Sequence, residues 1–222
     1  MSKSVGNIID PFALIDKYGP DALRYYLMSD IVIGKDADFS EERLVGYRYK
    51  VDLSDTLGNL LNRSLPLAER HTESRLSRPQ DDYAPTEGGH SAATLLSEAV
   101  DYYVRYSNRF AFDESCITAL GIARTCNLQI QAKRPWDLAK DSARIKELSF
   151  FLYYLAESLR VIAILISPVM PKAAHGIFDQ LNWKMELSGK EERFSLADAK
   201  WGGLPDGHVV GKPVPLFPRI ED

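Results

Sequence analysis

The 222-residue sequence is poor in the residues that build metal or disulfide scaffolds. It has two cysteines, Cys116 and Cys126, and four scattered histidines. The thiols stand ten residues apart inside a helical pattern, a spacing that fits neither a zinc knuckle nor a redox pair. Buried free thiols and no metal site are therefore expected. An excess of positive charge is also missing. With 27 Lys and Arg against 31 Asp and Glu, the net charge is −4, so any nucleic-acid site has to be a local patch. No long apolar run is free of charge. The strongest, "LSFFLYYLAESLRVIAILISPVMP", carries Glu157 and Arg160 near its middle, where each would be costly in a bilayer. A buried core helix, with no membrane as partner, is the better reading. Neither a charged-then-apolar leader nor a basic amphipathic segment opens the chain. Nor is there a strand–glycine–helix unit of the kind that cradles a nucleotide.

What is present reads as a folded, soluble, mainly helical protein, with 45% hydrophobic and 26% charged residues. Residues 1–38 are expected to form a small mixed α/β module. Gly19-Pro20 divides "PFALIDKYGPDALRYYLMSD" into two helices, and "IVIGKD" looks like a short β-run. Residues 39–222 are expected to form a helical bundle with an extended tail. Ser40 is a good N-cap, with Glu41 and Glu42 at the positive end of the helix dipole. Leu44, Tyr47, Val51, Leu57, Leu61 and Leu65 recur near the 3.6-residue period, and Pro66 is expected to end or kink that helix. A polar loop over 72–90 comes next, then helices over 91–110, 114–133, 142–166 and 172–182. The tail "WGGLPDGHVVGKPVPLFPRIED" is rich in glycine and proline. The aromatic clusters "YYV" and "FFLYYL" lie at helical spacing and suit core packing, while Asp113 and Glu114 suit a helix start.

Three places could carry chemistry. In "MSKSVGN", Ser2, Lys3 and Ser4 offer hydroxyl donors and a mobile cation for phosphate oxygens, and Gly6 permits a tight turn, although a plain polar terminus has the same composition. Asn59 and Arg63, four residues apart, share one helical face. An amide can meet a base edge and a guanidinium can pair with phosphate or stack, although a solvated face also carries such pairs. Gly58, just before Asn59, is costly inside a helix and suggests that something approaches closely there. Trp136 follows Pro135 at a helix break, among Lys133, Arg134 and Lys140. Between residues 105 and 146 eight basic side chains face four acidic ones. A large aromatic in a basic stretch either stacks unpaired bases or packs between helices.

The segment "MSKSVGNIIDPFALIDKYGPDALRYYL" resembles the KMSKS signature of class I aminoacyl-tRNA synthetases, less its first lysine, and the helical stretch beyond that signature. It looks most like methionyl-tRNA synthetase. "DADFSEERLVGYRYKVDLSDTLGNLLNR", "NLQIQAKRPWDLAK", "ISPVMP" and "GKPVPLFPRIE" resemble later passages of the same family, in the same order. The resemblance implies that residues 1–38 are the KMSKS loop and stem-contact module and 39–222 the anticodon-binding bundle. It implies Lys3 as a catalytic residue and Ser2, Lys3 and Ser4 as contacts to the ATP phosphates. It further implies Asn59, Arg63 and Trp136 as anticodon readers of tRNA(Met). Asn127, nine residues before the tryptophan, matches a polar family position, and Lys133, Arg134 and Lys140 would attract phosphate. The partners implied are the anticodon stem-loop and the family's N-terminal catalytic domain. No histidine here lies in a HIGH-type context, so the chain is expected to be a portion that cannot activate methionine alone, with Met1 either internal or an initiator coinciding with that position. Two rivals stay open: a stand-alone RNA-binding or scaffold protein derived from that domain, and the same portion of another class I synthetase. The expected location is the cytoplasm or the mitochondrion. The variable loop and the short ending after "PRIED" lean to the latter.

Overall fold

A computed structural model describes residues 9–80, 82–183 and 194–220. The first two helices arise from local chemistry. Asp10 accepts from the Phe12 N–H at 2.9 Å and Pro11 starts α1 (Pro11–Tyr18). Gly19, at φ 83°, ends it, and Pro20 opens α2 (Pro20–Asp30). The expected β-run does not form. The Lys35 N–H donates to the Val32 carbonyl around Gly34 at φ 84°, which makes a turn, and Val32 and Ile33 are exposed. A β-branched run needs a partner edge, and none comes here. Among the described residues the sole strand-like pairing is an isolated bridge between Arg75 and Val209. The described N-terminal residues are therefore helical rather than mixed.

A continuous helix comes after the turn. Ser40 caps it by accepting from the Arg43 N–H at 3.2 Å, as its sequence suggests. It runs through α3 (Glu41–Arg43), a π-wound segment (Leu44–Gly58) and α4 (Asn59–Thr72). The π winding corrects the 3.6-residue reading. A π helix turns more slowly than an α-helix, its N–H groups reaching carbonyls five residues back, so the buried face passes through Leu44, Tyr49, Leu53 and Leu57. Tyr47 and Val51, expected inside, are 57% and 40% exposed. Pro66 does not end the helix either. Buried Leu60, Leu61, Leu65 and Ala68 carry it past the lost hydrogen bond to Thr72.

Ser91 caps α5 (Ala92–Ser107), which pairs with α6 (Phe112–Lys133). A single turn, α7 (Pro135–Leu138), leads through a 3₁₀ turn to α8 (Ile145–Ile166), and α9 (Pro171–Gln180) closes the bundle. The 142–166 stretch has mean hydropathy 1.7 and is apolar and long enough to cross a membrane, but 94% of its apolar window is buried inside the bundle, as a core helix would be. Phe151, Tyr153 and Tyr154 are in that core, whereas Tyr102 of the "YYV" cluster is exposed. Cys116 and Cys126 are free and buried, and burial pushes their thiols up to about 12 and about 11. Asp21 of α2 accepts from the Ala173 N–H at 2.7 Å, so it caps α9 from another helix.

The two charges inside α8 hold the tail. Both are fully buried, and Arg160 donates to Glu157 through Nε (3.0 Å) and Nη2 (2.6 Å). Arg160 also donates to the Asp198 and Lys200 carbonyls, and Glu157 accepts from the Gly203 and Leu204 N–H groups. A Cβ at Gly203 would stand 2.3 Å from the guanidinium carbon, so a side chain there would have to displace the clamped Arg160. From this clamp the tail crosses Leu76, pairs with Gln180 of α9 and ends against Tyr49, whose hydroxyl donates to the Pro218 carbonyl at 2.8 Å. Replacing Glu157 by Ala leaves a buried guanidinium without its carboxylate. Urea unfolding is expected to show a loss of about 3–5 kcal/mol, and a loss below about 1 kcal/mol would contradict the clamp.

Candidate nucleic-acid interface

Asn59 opens α4 directly after the π-wound segment, and its amide donates to the Asn127 side-chain oxygen of α6 at 3.2 Å. Asn127 in turn donates to the Thr56 carbonyl at 2.9 Å. Two amides singled out by the sequence, 68 residues apart, thus form one unit, half-buried at the seam between α4 and α6. Their amide flips and remaining lone pairs are fixed by that network, which leaves defined donors and acceptors for a ligand. Arg63, one turn along α4, is half-buried and makes no hydrogen bond or ion pair among the described residues.

Trp136 is presented by the α6–α7 junction. Arg134 takes a left-handed conformation (φ 49°), a strained choice for a side-chain-bearing residue, and this turns the chain so that Pro135 starts α7. Pro135 and Leu138 are buried on either side, while Trp136 between them stays 39% exposed. The anchors hold a large aromatic face toward solvent instead of letting it sink into the bundle. Its exposure argues against the packing alternative for this residue.

The basic stretch is more neutral than its composition suggests. Lys133 is half-buried and donates to Glu147 at 2.8 Å, and Arg144 pairs with the same carboxylate at 2.9 Å. Arg134 and Lys140 share Asp137 at 2.7 and 2.8 Å. Arg134 and Lys140 remain exposed, so a phosphate can still compete for them, but Lys133 is committed to the protein. The Lys133 hydrogen bond holds the Glu147 carboxyl below its ordinary value, and Lys140 does the same for Asp137.

Other features of this surface are not evident from the sequence. Arg124 precedes Asn127 by three residues on the same face of α6, and Leu128 beside it is 67% exposed. The three-residue spacing of Arg124 from Asn127 is the signal that could have found it. A shallow concavity of about 420 Å³ is lined by Ser54, Asp55, Asn59 and Asn62 and by Pro215, Phe217, Pro218 and Arg219 of the tail. The close approach expected at Gly58 is internal. A Cβ there would lie 3.3 Å from the Leu53 carbonyl oxygen and 3.9 Å from that of Phe217. Ser2, Lys3 and Ser4 lie outside the described residues. Among the described residues no three His, Cys, Asp or Glu side chains converge as a metal site would require.

Comparison with known proteins places this geometry in context. Residues 1–65 match the family model "tRNA synthetases class I (M)". The chain is 36% identical to the methionine–tRNA ligase of Thermosynechococcus vestitus over 99% of its length and 41% of that protein. It is 35% identical to the Bacillus subtilis methionine–tRNA ligase, covering all of this chain and 32% of the relative. A chloroplastic/mitochondrial methionine–tRNA ligase of Arabidopsis thaliana is 34% identical over the full chain and 35% of its own length. Among solved structures, Mycobacterium tuberculosis methionyl-tRNA synthetase in complex with methionyl-adenylate superposes with a TM-score of 0.82 at 31% identity, covering 99% of this chain and 41% of that one. The chain thus spans roughly two-fifths or less of the relatives it matches.

The lowered Glu147 carboxyl makes the Lys133 pair testable. A depressed acid contributes stability above its ordinary 4.5, and that contribution is lost as pH falls through the lower folded value. A carboxyl-resolved NMR titration is expected to put the Glu147 midpoint below 4.5, and Lys133→Met should move it upward. A wild-type midpoint above 4.5 would show that Lys133 is free for another partner.

Proposed function

The chain is homologous, end to end, to the C-terminal portion of methionyl-tRNA synthetases, and from that premise we propose that it is the tRNA-reading part of such an enzyme. Its ligand on this reading is the CAU anticodon loop of tRNA(Met). The observation that carries the proposal is Trp136, held out by two buried neighbours just beyond α6, the helix that supplies Asn127 to the Asn59–Asn127 pair. Bases in a loop can be splayed, stacked on an aromatic face and read at their edges. Trp136 supplies the face, and Asn59 and Asn127 supply paired donors and acceptors for a neighbouring base. Arg63 clamps the backbone or stacks, and Arg134 and Lys140 add attraction without sequence preference.

The whole enzyme on this reading joins methionine to ATP as methionyl-adenylate and then transfers the methionyl group to tRNA. Residues 1–38 would be its KMSKS loop and stem-contact module and residues 39–222 its anticodon-binding bundle. Lys3, with Ser2 and Ser4, would stabilise charge on the ATP phosphates, as the match over residues 1–65 supports. The catalytic sheet would come from the part of the relatives that this chain does not cover, so the 222-residue chain alone is expected to leave methionine-dependent ATP–pyrophosphate exchange at background. We place the protein in the cytoplasm or the mitochondrion, the latter supported by the plant organellar relative.

Fluorescence titration with a CAU stem-loop and one altered at its first anticodon base tests the RNA assignment. Trp136→Ala is expected to cut the discrimination between them by about 1–3 kcal/mol. Equal weakening of both RNAs, or a lower melting temperature with unchanged discrimination, would make Trp136 a packing residue.

A further inference from the structure

Arg124 stands apart from the other cations near this surface. It lies one turn before Asn127 on α6, about 4.5 Å along the helix axis, and its side chain is 40% exposed. Its ion-pair partner is Asp52 of the π-wound segment, 1% exposed. That carboxylate is already shared. Oδ1 accepts from Arg124, while Oδ2 accepts from Arg48 at 3.1 Å and from the Tyr25 hydroxyl at 2.9 Å. Arg48 itself bridges to Asp30, which also holds the exposed Arg43. Three guanidiniums therefore face two carboxylates, and the cluster keeps one positive charge.

The consequence is a cation that is fixed in place but not neutralised. Lys133 and Arg144 share Glu147, and Arg134 and Lys140 share Asp137, both partly exposed carboxylates. Arg124 is instead pinned from below by a buried anchor, and a guanidinium has five N–H donors, most of which stay free. A pre-positioned fork loses little freedom on meeting a phosphate. Its neighbours on the same face, Asn127 and the exposed Leu128, are the residues beside which a loop nucleotide would lie. We propose that Arg124 binds a backbone phosphate of the RNA strand flanking the nucleotide at the Asn59–Asn127 pair, and that Asp52 orients it for that contact. This rests on the RNA-reading assignment above and adds a residue and a role to it: affinity without base preference.

Salt dependence separates this role from a structural one. In the 222-residue chain, Arg124→Gln keeps an N–H donor for Asp52 and removes the charge, while Arg124→Lys keeps the charge. Affinities for the CAU stem-loop and its first-base variant are measured from about 50 to 200 mM salt. Arg124→Gln is expected to weaken both RNAs by the same factor, about 3–10-fold at the low-salt end, and to reduce the slope of log affinity against log salt by about 0.7–0.9. Arg124→Lys should restore the slope. An unchanged slope in Arg124→Gln, unequal weakening of the two RNAs, or failure of lysine to restore the slope overturns the proposal while leaving the anticodon reading intact. If the wild-type chain binds neither RNA, both fall.

Discussion

The buried Glu157–Arg160 pair is the interaction on which the molecule is organised. Two opposite charges sit in the middle of its most apolar helix, where neither survives alone. Every lone pair and donor they bring must be matched, and α8 has no spare backbone groups to offer. The tail supplies them through Gly203, Leu204, Asp198 and Lys200. A segment without helix or strand is thereby held on the bundle by the cost of leaving a charge unpaired. From that clamp the tail reaches Gln180 and then Tyr49 and Gly58, where it walls the concavity beside Asn59. The candidate site thus depends on a pair of residues far from it in sequence.

The surface obeys a second constraint, the use of buried or largely shielded carboxylates to hold cations in place. Asp52 is buried under Arg124, Asp30 is held between Arg43 and Arg48, and each leaves donors facing outward. This suits a protein that carries net negative charge and yet offers cations at defined points. An overall positive field would attract any polyanion, whereas a few fixed forks beside aromatic and amide groups favour one shape.

Local chemistry is legible where it decides matters. The Gly19-Pro20 break, the Ser40 and Ser91 caps and the apolar 142–166 helix arise from residues close in sequence. The π winding is not legible, because Leu57, Leu61 and Leu65 fit a 3.6-residue period and the wider turn shows only in which side chains are left outside, Tyr47 and Val51. Pro66 sits inside α4 and does not end it, because burial of its neighbours outweighs a lost hydrogen bond. For the site, Asn59, Asn127 and Trp136 are visible as residue types, but their pairing and exposure are not. Lys133 counts as free in the sequence because its partner, Glu147, lies one residue beyond the basic window. The close approach at Gly58 is that of the Leu53 carbonyl in the same helix, with Phe217 of the tail only in ordinary contact.

The central claim is that the exposed indole faces RNA. Of the three tryptophans, Trp183 is buried and Trp201 half-buried against Tyr153 and Tyr154, which leaves Trp136 as the exposed one. The indole N–H groups, assigned by NMR and followed while a CAU stem-loop is titrated into the chain, report on each separately. The account predicts a saturable shift of the Trp136 signal, with Trp183 and Trp201 holding still. A Trp136 signal that stays in place while the RNA binds would contradict it.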